Sequence, residues 1–174
     1  MSHIVILTGS VRKGRVADAV LAHVQNELKN YPDHTVTVAD VKELDLPFFD
    51  SEIIPSDERY EITHPGAKRL SQLVSEADTV LILSPEYNHS VPAALKNAID
   101  WLYKEWQGKK IAFIGYGWVG GARSINHLHG VFENLGVELI EPEGNLRFKK
   151  EIELDGSIIS DNAIAEITKV LSVL

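Results

Sequence analysis

Thr79-Val80-Leu81-Ile82-Leu83 runs directly into Ser84-Pro85-Glu86-Tyr87-Asn88, and the reading of this junction decides the fold. The first five residues are a short apolar run rich in β-branched side chains, the composition of a strand buried on both faces. The next five leave that strand through Pro85, which stiffens a turn. They lead to Ser90-Val91-Pro92, a helix opening in which Ser can cap and Pro needs no amide partner. In an open α/β sheet, the turn from the carboxyl end of a central strand into a helix lies on the edge where ligands bind. Tyr87 offers a flat ring there, and Asn88 with the local backbone offers donors and acceptors. That set suits a flat heteroaromatic ligand; the same polar residues also suit plain capping of the next helix.

Outward from this junction, strands and helices alternate. Ile4 to Thr8 reads as a first strand, Gly9 to Gly14 as a loop, and Arg15 to Asn30 as a helix in which Val16, Val20, Val24 and Leu28 recur every fourth residue. Thr35 to Val41 alternates as a second strand. Lys42 to His64 is a long polar passage holding Pro47 and Pro55, expected to be a functional or capping loop. Pro65 to Glu76 is a helix, and Val80 to Leu83 is the third strand. Beyond it come a helix at Val91 to Tyr103, a strand at Ile111 to Ile114, a glycine-rich loop at Gly115 to Gly121, and a helix at Ala122 to Leu135 closed by Gly136. Val137 to Ile140 is a fifth strand, and Glu141 to Asp155 is irregular with a short extended piece near Leu146 to Phe148. Asp161 to Val173 is a final helix.

This alternation predicts an α/β fold of three layers, a parallel sheet covered by helices on both faces. Right-handed crossovers and five strands give the flavodoxin-like order 2-1-3-4-5 in a single domain over residues 1–174, with no repeat or linker. The first and third strands are then neighbours. Their loops, Gly9 to Gly14 and Ser84 to Asn88, become two walls of one crevice.

Composition narrows what the crevice serves. The chain is 44% hydrophobic and 24% charged with a net charge of −8, ordinary for a globular protein and too acidic to favour nucleic acid or an anionic membrane. It has no cysteine, which excludes disulfides, thiolate catalysis and Cys-based metal sites. No apolar run approaches a membrane span, and the N-terminus shows neither the basic region nor the cleavage site of a signal peptide, so a cytoplasmic protein is expected.

Gly9-Ser10-Val11-Arg12-Lys13-Gly14-Arg15 follows a strand and opens a helix. Amides at a helix start and the Ser10 hydroxyl make an anion nest, and Arg12 and Arg15 can add forked bonds to phosphate oxygens. Gly-Lys-Ser/Thr is missing, so this is not a Walker loop. Gly115-Tyr116-Gly117-Trp118-Val119-Gly120 matches G-x-G-x-x-G but sits after the fourth strand, unlike a dinucleotide fingerprint. Gly115 and Gly117 read instead as a third wall, where a planar ligand can approach the backbone. Glu86 suits either a polar ring edge or a helix cap. His127 and His129 are two apart on a helix and cannot chelate together, and no H-E-x-x-H or G-x-S-x-G is present, so neither a metal site nor a hydrolase triad is expected.

Together these stretches resemble the NADPH-dependent FMN reductase family, which includes quinone, azo-dye and chromate reductases. The resemblance is carried most specifically by Pro85-Glu86-Tyr87-Asn88-His89-Ser90-Val91-Pro92 running on to Trp101, with Gly9-Ser10-Val11-Arg12 and Gly117 to Arg123 in support. It implies FMN as cofactor, with its phosphate at Ser10, Arg12 and Arg15 and its ring along Pro85, Glu86, Tyr87 and Asn88. It also implies NADPH or NADH as electron donor and a small acceptor such as a quinone, an azo compound or free flavin. Many members carry Ser, often followed by Asn, near the positions of Arg15 and Ala17 here. No catalytic side chain is expected, because the flavin carries the chemistry. The other readings are a flavodoxin-type electron carrier and a non-enzymatic flavin-binding module. Helix Val91 to Tyr103 is apolar on more than one face, which predicts a homodimer or tetramer unless the long Lys42 to His64 loop covers it.

Overall fold

The computed structural model describes residues 2–174. Strand β1 (Ser2–Thr8) lies between β2 (His34–Asp40) and β3 (Thr79–Pro85), and β3 pairs with β4 (Lys110–Gly117), all parallel. With β5 (Glu138–Leu139) beside β4, the order is the expected 2-1-3-4-5. Thr8 stands opposite both Asp40 and Leu83, so three strands end level and their loops share one edge.

Side-chain alternation builds the layers. Val5, Leu7, Val80, Ile82, Ile111 and Phe113 face one side. There they meet α2 (Val41–Leu44), α3 (Pro65–Glu76), α4 (Ala93–Asp100) and α5 (Ala122–Phe132). Ile4, Ile6, Leu81, Leu83, Ala112 and Ile114 face the other, against α1 (Ala17–Leu28) and α6 (Asp161–Leu171). Val80 to Leu83 are fully buried, and withdrawing each such side chain from water contributes roughly 1.5–3 kcal/mol. This fixes the strand that carries the Pro85 turn.

Three elements differ from the sequence reading. The short extended piece expected near Leu146 to Phe148 is a sixth strand: β5 pairs with Lys110 and Ile111, and after a break at Pro142, β6 (Gly144–Arg147) pairs with Ile114 to Gly117. Proline has no amide to give the ladder, so pairing stops there and resumes two residues on. Helix α1 begins at Ala17, not Arg15, whose side chain reaches the end of β2. Helix α4 is shorter than Val91 to Tyr103 and is followed by a 3₁₀ turn at Lys104–Trp106.

The long passage after α2 crosses α4. Asn97 Nδ2 and Trp101 Nε1 both donate to the Pro47 carbonyl at 2.9 and 3.1 Å, the Phe49 amide donates to Asn97 Oδ1 at 2.9 Å, and the Phe49 ring meets Trp101 edge-on at 5.4 Å. Trp101 is therefore covered within its own chain.

Beyond β6, Glu151 is 3% exposed and accepts from the Arg147 amide and guanidinium at 2.8–2.9 Å and from Asn162 at 3.0 Å. The Arg147 bonds hold its carboxyl down to about 2 against its burial. A depressed carboxyl stabilises the fold above its unfolded pKa, and that contribution is lost as pH falls through the folded value. Glu151→Gln is expected to be less stable than the parent in urea at neutral pH. The gap should close as pH falls from the ordinary glutamate value of about 4.3 towards the folded value. A gap undiminished at about pH 3 would contradict this clamp.

Candidate functional site

The level strand ends bring three loops around one cleft of about 360 Å³, within the size range of small-ligand sites. Ser10, Arg12 and Arg15 line it from the first loop, Pro85, Glu86 and Tyr87 from the second, and Gly117 from the third.

The first two loops touch directly. Ser10, 1% exposed, shares a 2.6 Å hydrogen bond with the Tyr87 hydroxyl, and the Arg12 guanidinium lies 5.8 Å from the Tyr87 ring centroid. Such a cation over an aromatic face is an attractive contact. Among the described residues, Arg12 makes no ion pair.

Arg15 is different. Its Nε donates to Asp18 at 2.9 Å, one terminal nitrogen donates to the Ser10 carbonyl at 2.5 Å and to Asp40 Oδ1 at 2.7 Å, and the other pairs with Asp40 Oδ2. Both the Arg15 and Asp40 side chains are 7% exposed. Burial alone would raise the Asp40 carboxyl, but hydrogen bonds from Arg15 and the Lys42 amide override it and hold the carboxyl below its usual range. All three guanidinium nitrogens are thus committed inside the protein. Four of the five Arg15 N–H groups are hydrogen-bonded within the protein, which competes with the forked phosphate contact read for this residue, and its geometry is that of a brace between β2 and the Ser10 backbone.

In the second loop, Tyr87 and Ser90 exchange backbone hydrogen bonds at 3.0 Å around Asn88 and His89, whose φ values are 49° and 64°. Two positive φ angles across such a pair make a type I′ turn, and Asn tolerates that conformation better than most residues. Asn88 is exposed at the tip and does not line the cleft. The Glu86 carboxylate accepts from the Arg123 amide at 3.1 Å and its guanidinium at 2.9 Å. Glu86 therefore caps α5, not the next helix α4 expected in the capping alternative of the sequence reading, and ties the second loop to the third.

In the third loop, a Cβ on Gly115 would lie 2.5 Å from the Gly120 carbonyl, and one on Gly121, at φ 72°, would lie 2.6 Å from the Tyr116 amide. Gly115 thus serves the folding of the loop onto β4 and does not itself line the cleft. Gly117 does, with backbone open to it.

The sequence reading missed Tyr116, Trp118, Phe148 and Leu154, which also line the cleft. Trp118 is 68% exposed and meets the Phe148 ring edge-on at 5.7 Å. Tyr116 is 2% exposed, and its hydroxyl has no hydrogen-bond partner.

The lining fits a ligand with one anionic end and one flat end: Ser10 and the uncommitted Arg12 offer donors, and Tyr87, Trp118 and the Gly117 backbone offer flat or open surface. Residues 2–148 match the sequence profile of the NADPH-dependent FMN reductases. The chain belongs to that family. It is 33% identical over 144 residues to an NAD(P)H-dependent FMN reductase of Saccharomyces cerevisiae, covering 78% of this chain and 75% of the relative. It is 30% identical over 180 residues to a quinone reductase of Escherichia coli strain K12, covering 95% and 89%. Among solved structures it resembles FerB, a flavoenzyme NAD(P)H:(acceptor) oxidoreductase of Paracoccus denitrificans, with a TM-score of 0.73 over 99% of both chains at 23% identity, a likeness of fold. Membership accounts for the three loops converging on one cleft.

Proposed function

We propose that this chain is an FMN-dependent NAD(P)H oxidoreductase that passes a hydride from NADPH or NADH to a small acceptor such as a quinone, an azo compound or free flavin. The observation that carries the reading is the joining of an unpaired Arg12 to the ring of Tyr87 and of a buried Ser10 to its hydroxyl in one cleft, in a member of this family. Ser10, Arg12 and the backbone of the first loop would hold the phosphate of FMN; Pro85, Tyr87 and Gly117 would flank its ring. Bound FMN would supply the hydride chemistry at that site. The protein's share is to fix the cofactor's orientation and leave one face open to donor and acceptor in turn. The cleft lining carries no histidine or cysteine, consistent with a site that needs no protein nucleophile. Glu86 acts on the site through Arg123, and Arg15 through the Ser10 carbonyl. The test is the absorbance spectrum of the purified protein with the released cofactor identified: FMN supports the reading, whereas FAD bound more tightly, or no flavin at all, opposes it.

The rest of the proposal concerns context: one FMN-binding domain over residues 1–174, resident in the cytoplasm and assembled as a homodimer. Cytoplasmic residence is supported by the cysteine-free composition. No described helix is long and apolar enough to cross a membrane. The homodimer is supported by the apolar surface beside α4, where Phe48 is 78% and Ile54 63% exposed even though their own loop covers Trp101. Light scattering is expected to give at least twice the 19.3 kDa chain mass at micromolar concentration. The monomer mass would contradict it.

A further inference from the structure

Tyr116 is the only buried polar side chain of the cleft, among the described residues, whose hydrogen-bonding capacity is unused. Folded proteins rarely leave a buried hydroxyl unpartnered, and one on a residue that lines a ligand cleft points to a ligand atom. Its ring is fixed by packing in the layer against α1 and α6, with Ile4, Ile6, Leu146 and Ile152 in the same cluster. The hydroxyl therefore cannot swing away to find water. Burial raises its pKa, so it stays protonated and remains a donor; among its charged neighbours are Arg12, Arg15 and Asp18, with Tyr87 beside them. Arg12 and Arg15 belong to the first loop and Asp18 to the helix that follows it, at the first-loop end of the cleft. At that end every Arg15 nitrogen is already hydrogen-bonded within the protein, and Val16 and Ala17, which open α1, have no polar side-chain atom.

We propose that the Tyr116 hydroxyl, delivered from β4, donates a hydrogen bond to the phosphate of the bound mononucleotide and works with Arg12 and Ser10 from the opposite wall. This rests on the FMN reading above. It makes Tyr116 a binding residue that discriminates FMN from riboflavin.

The experiment is Tyr116→Phe in the full chain, which keeps the ring and removes only the oxygen. Affinities for FMN and riboflavin are measured by quenching of flavin fluorescence, and melting temperatures are recorded with and without FMN. The expected result is FMN binding weaker by about tenfold or more, with riboflavin binding unchanged. The cofactor-free variant should melt at or above the parent, since an unpartnered buried hydroxyl is gone, and FMN should raise its melting temperature less. A merely structural tyrosine would change neither affinity. Unchanged FMN binding in the variant overturns this inference alone. Equal weakening for both flavins also overturns it, because the hydroxyl would then address the ring or its chain. A parent that binds neither flavin overturns the cofactor reading first, and this inference with it.

Discussion

Arg12→Ala is expected to weaken FMN binding by about one to two orders of magnitude, the loss of roughly 1.5–3 kcal/mol that accompanies removal of a charge-assisted bond. Riboflavin, which lacks the phosphate, should bind nearly as before, and turnover should return at saturating FMN. The reasoning starts from two arginines three residues apart. A helix start contributes only about half a charge, so a phosphate dianion in this loop needs a guanidinium. Arg15 is engaged at every nitrogen with Asp18, Asp40 and the Ser10 carbonyl, whereas Arg12 rests over the Tyr87 ring with no carboxylate partner. The charge available to a ligand is therefore that of Arg12. Equal FMN affinity in the variant, or inactivity at saturating FMN, would show that the first loop does not bind phosphate through this residue.

Asp40→Ala is expected to lower stability by roughly 3 kcal/mol or more, or about 6–12 °C in melting temperature for a chain of this size. Removing one partner leaves the Arg15 guanidinium, 7% exposed, without its carboxylate. It also strips the acceptor from Thr8 Oγ at 3.0 Å and from the Lys42 amide at 2.9 Å. The brace on the Ser10 carbonyl then loosens, so FMN affinity should fall with stability although Asp40 does not line the cleft. Arg15→Ala should lose affinity by the same route. Asp40→Asn, which keeps the shape and some hydrogen bonds, should fall between parent and alanine. A melting temperature for Asp40→Ala within about 2 °C of the parent would contradict the brace.

How far the sequence was legible follows from what each signal encodes. The sheet order was readable because the centres of β1 and β3, Ile4 to Leu7 and Val80 to Leu83, are buried on both faces and so are apolar at every position, a pattern that needs no distant partner to interpret. Pro65 marked the start of α3 to the residue. The roles of Arg12 and Arg15 were not readable. In the sequence they are equal cations in one loop, and what separates them is Asp40, 25 residues from Arg15 and joined to it only by the pairing of β1 with β2. Asn88 carried two meanings, ligand donor and turn former, and its backbone conformation decides for the turn. Tyr116 looked like one more aromatic in a strand, since an unpartnered hydroxyl is a property of the packed structure alone. Phe148 reaches the cleft because β6 returns to the upper half of β4 after Pro142; the extended piece near Leu146 to Phe148 was readable, but its pairing with β4 was not.

The measurement that tests the central claim most directly is steady-state oxidation of NADPH and NADH by the pure, FMN-loaded protein in the presence of a quinone. The cleft predicts sustained turnover that depends on FMN and reduces one quinone to quinol for each nicotinamide oxidised. A protein that binds FMN yet oxidises neither nucleotide with a quinone, an azo compound or free flavin as acceptor would contradict it, and would make the chain an electron carrier or a flavin-binding module.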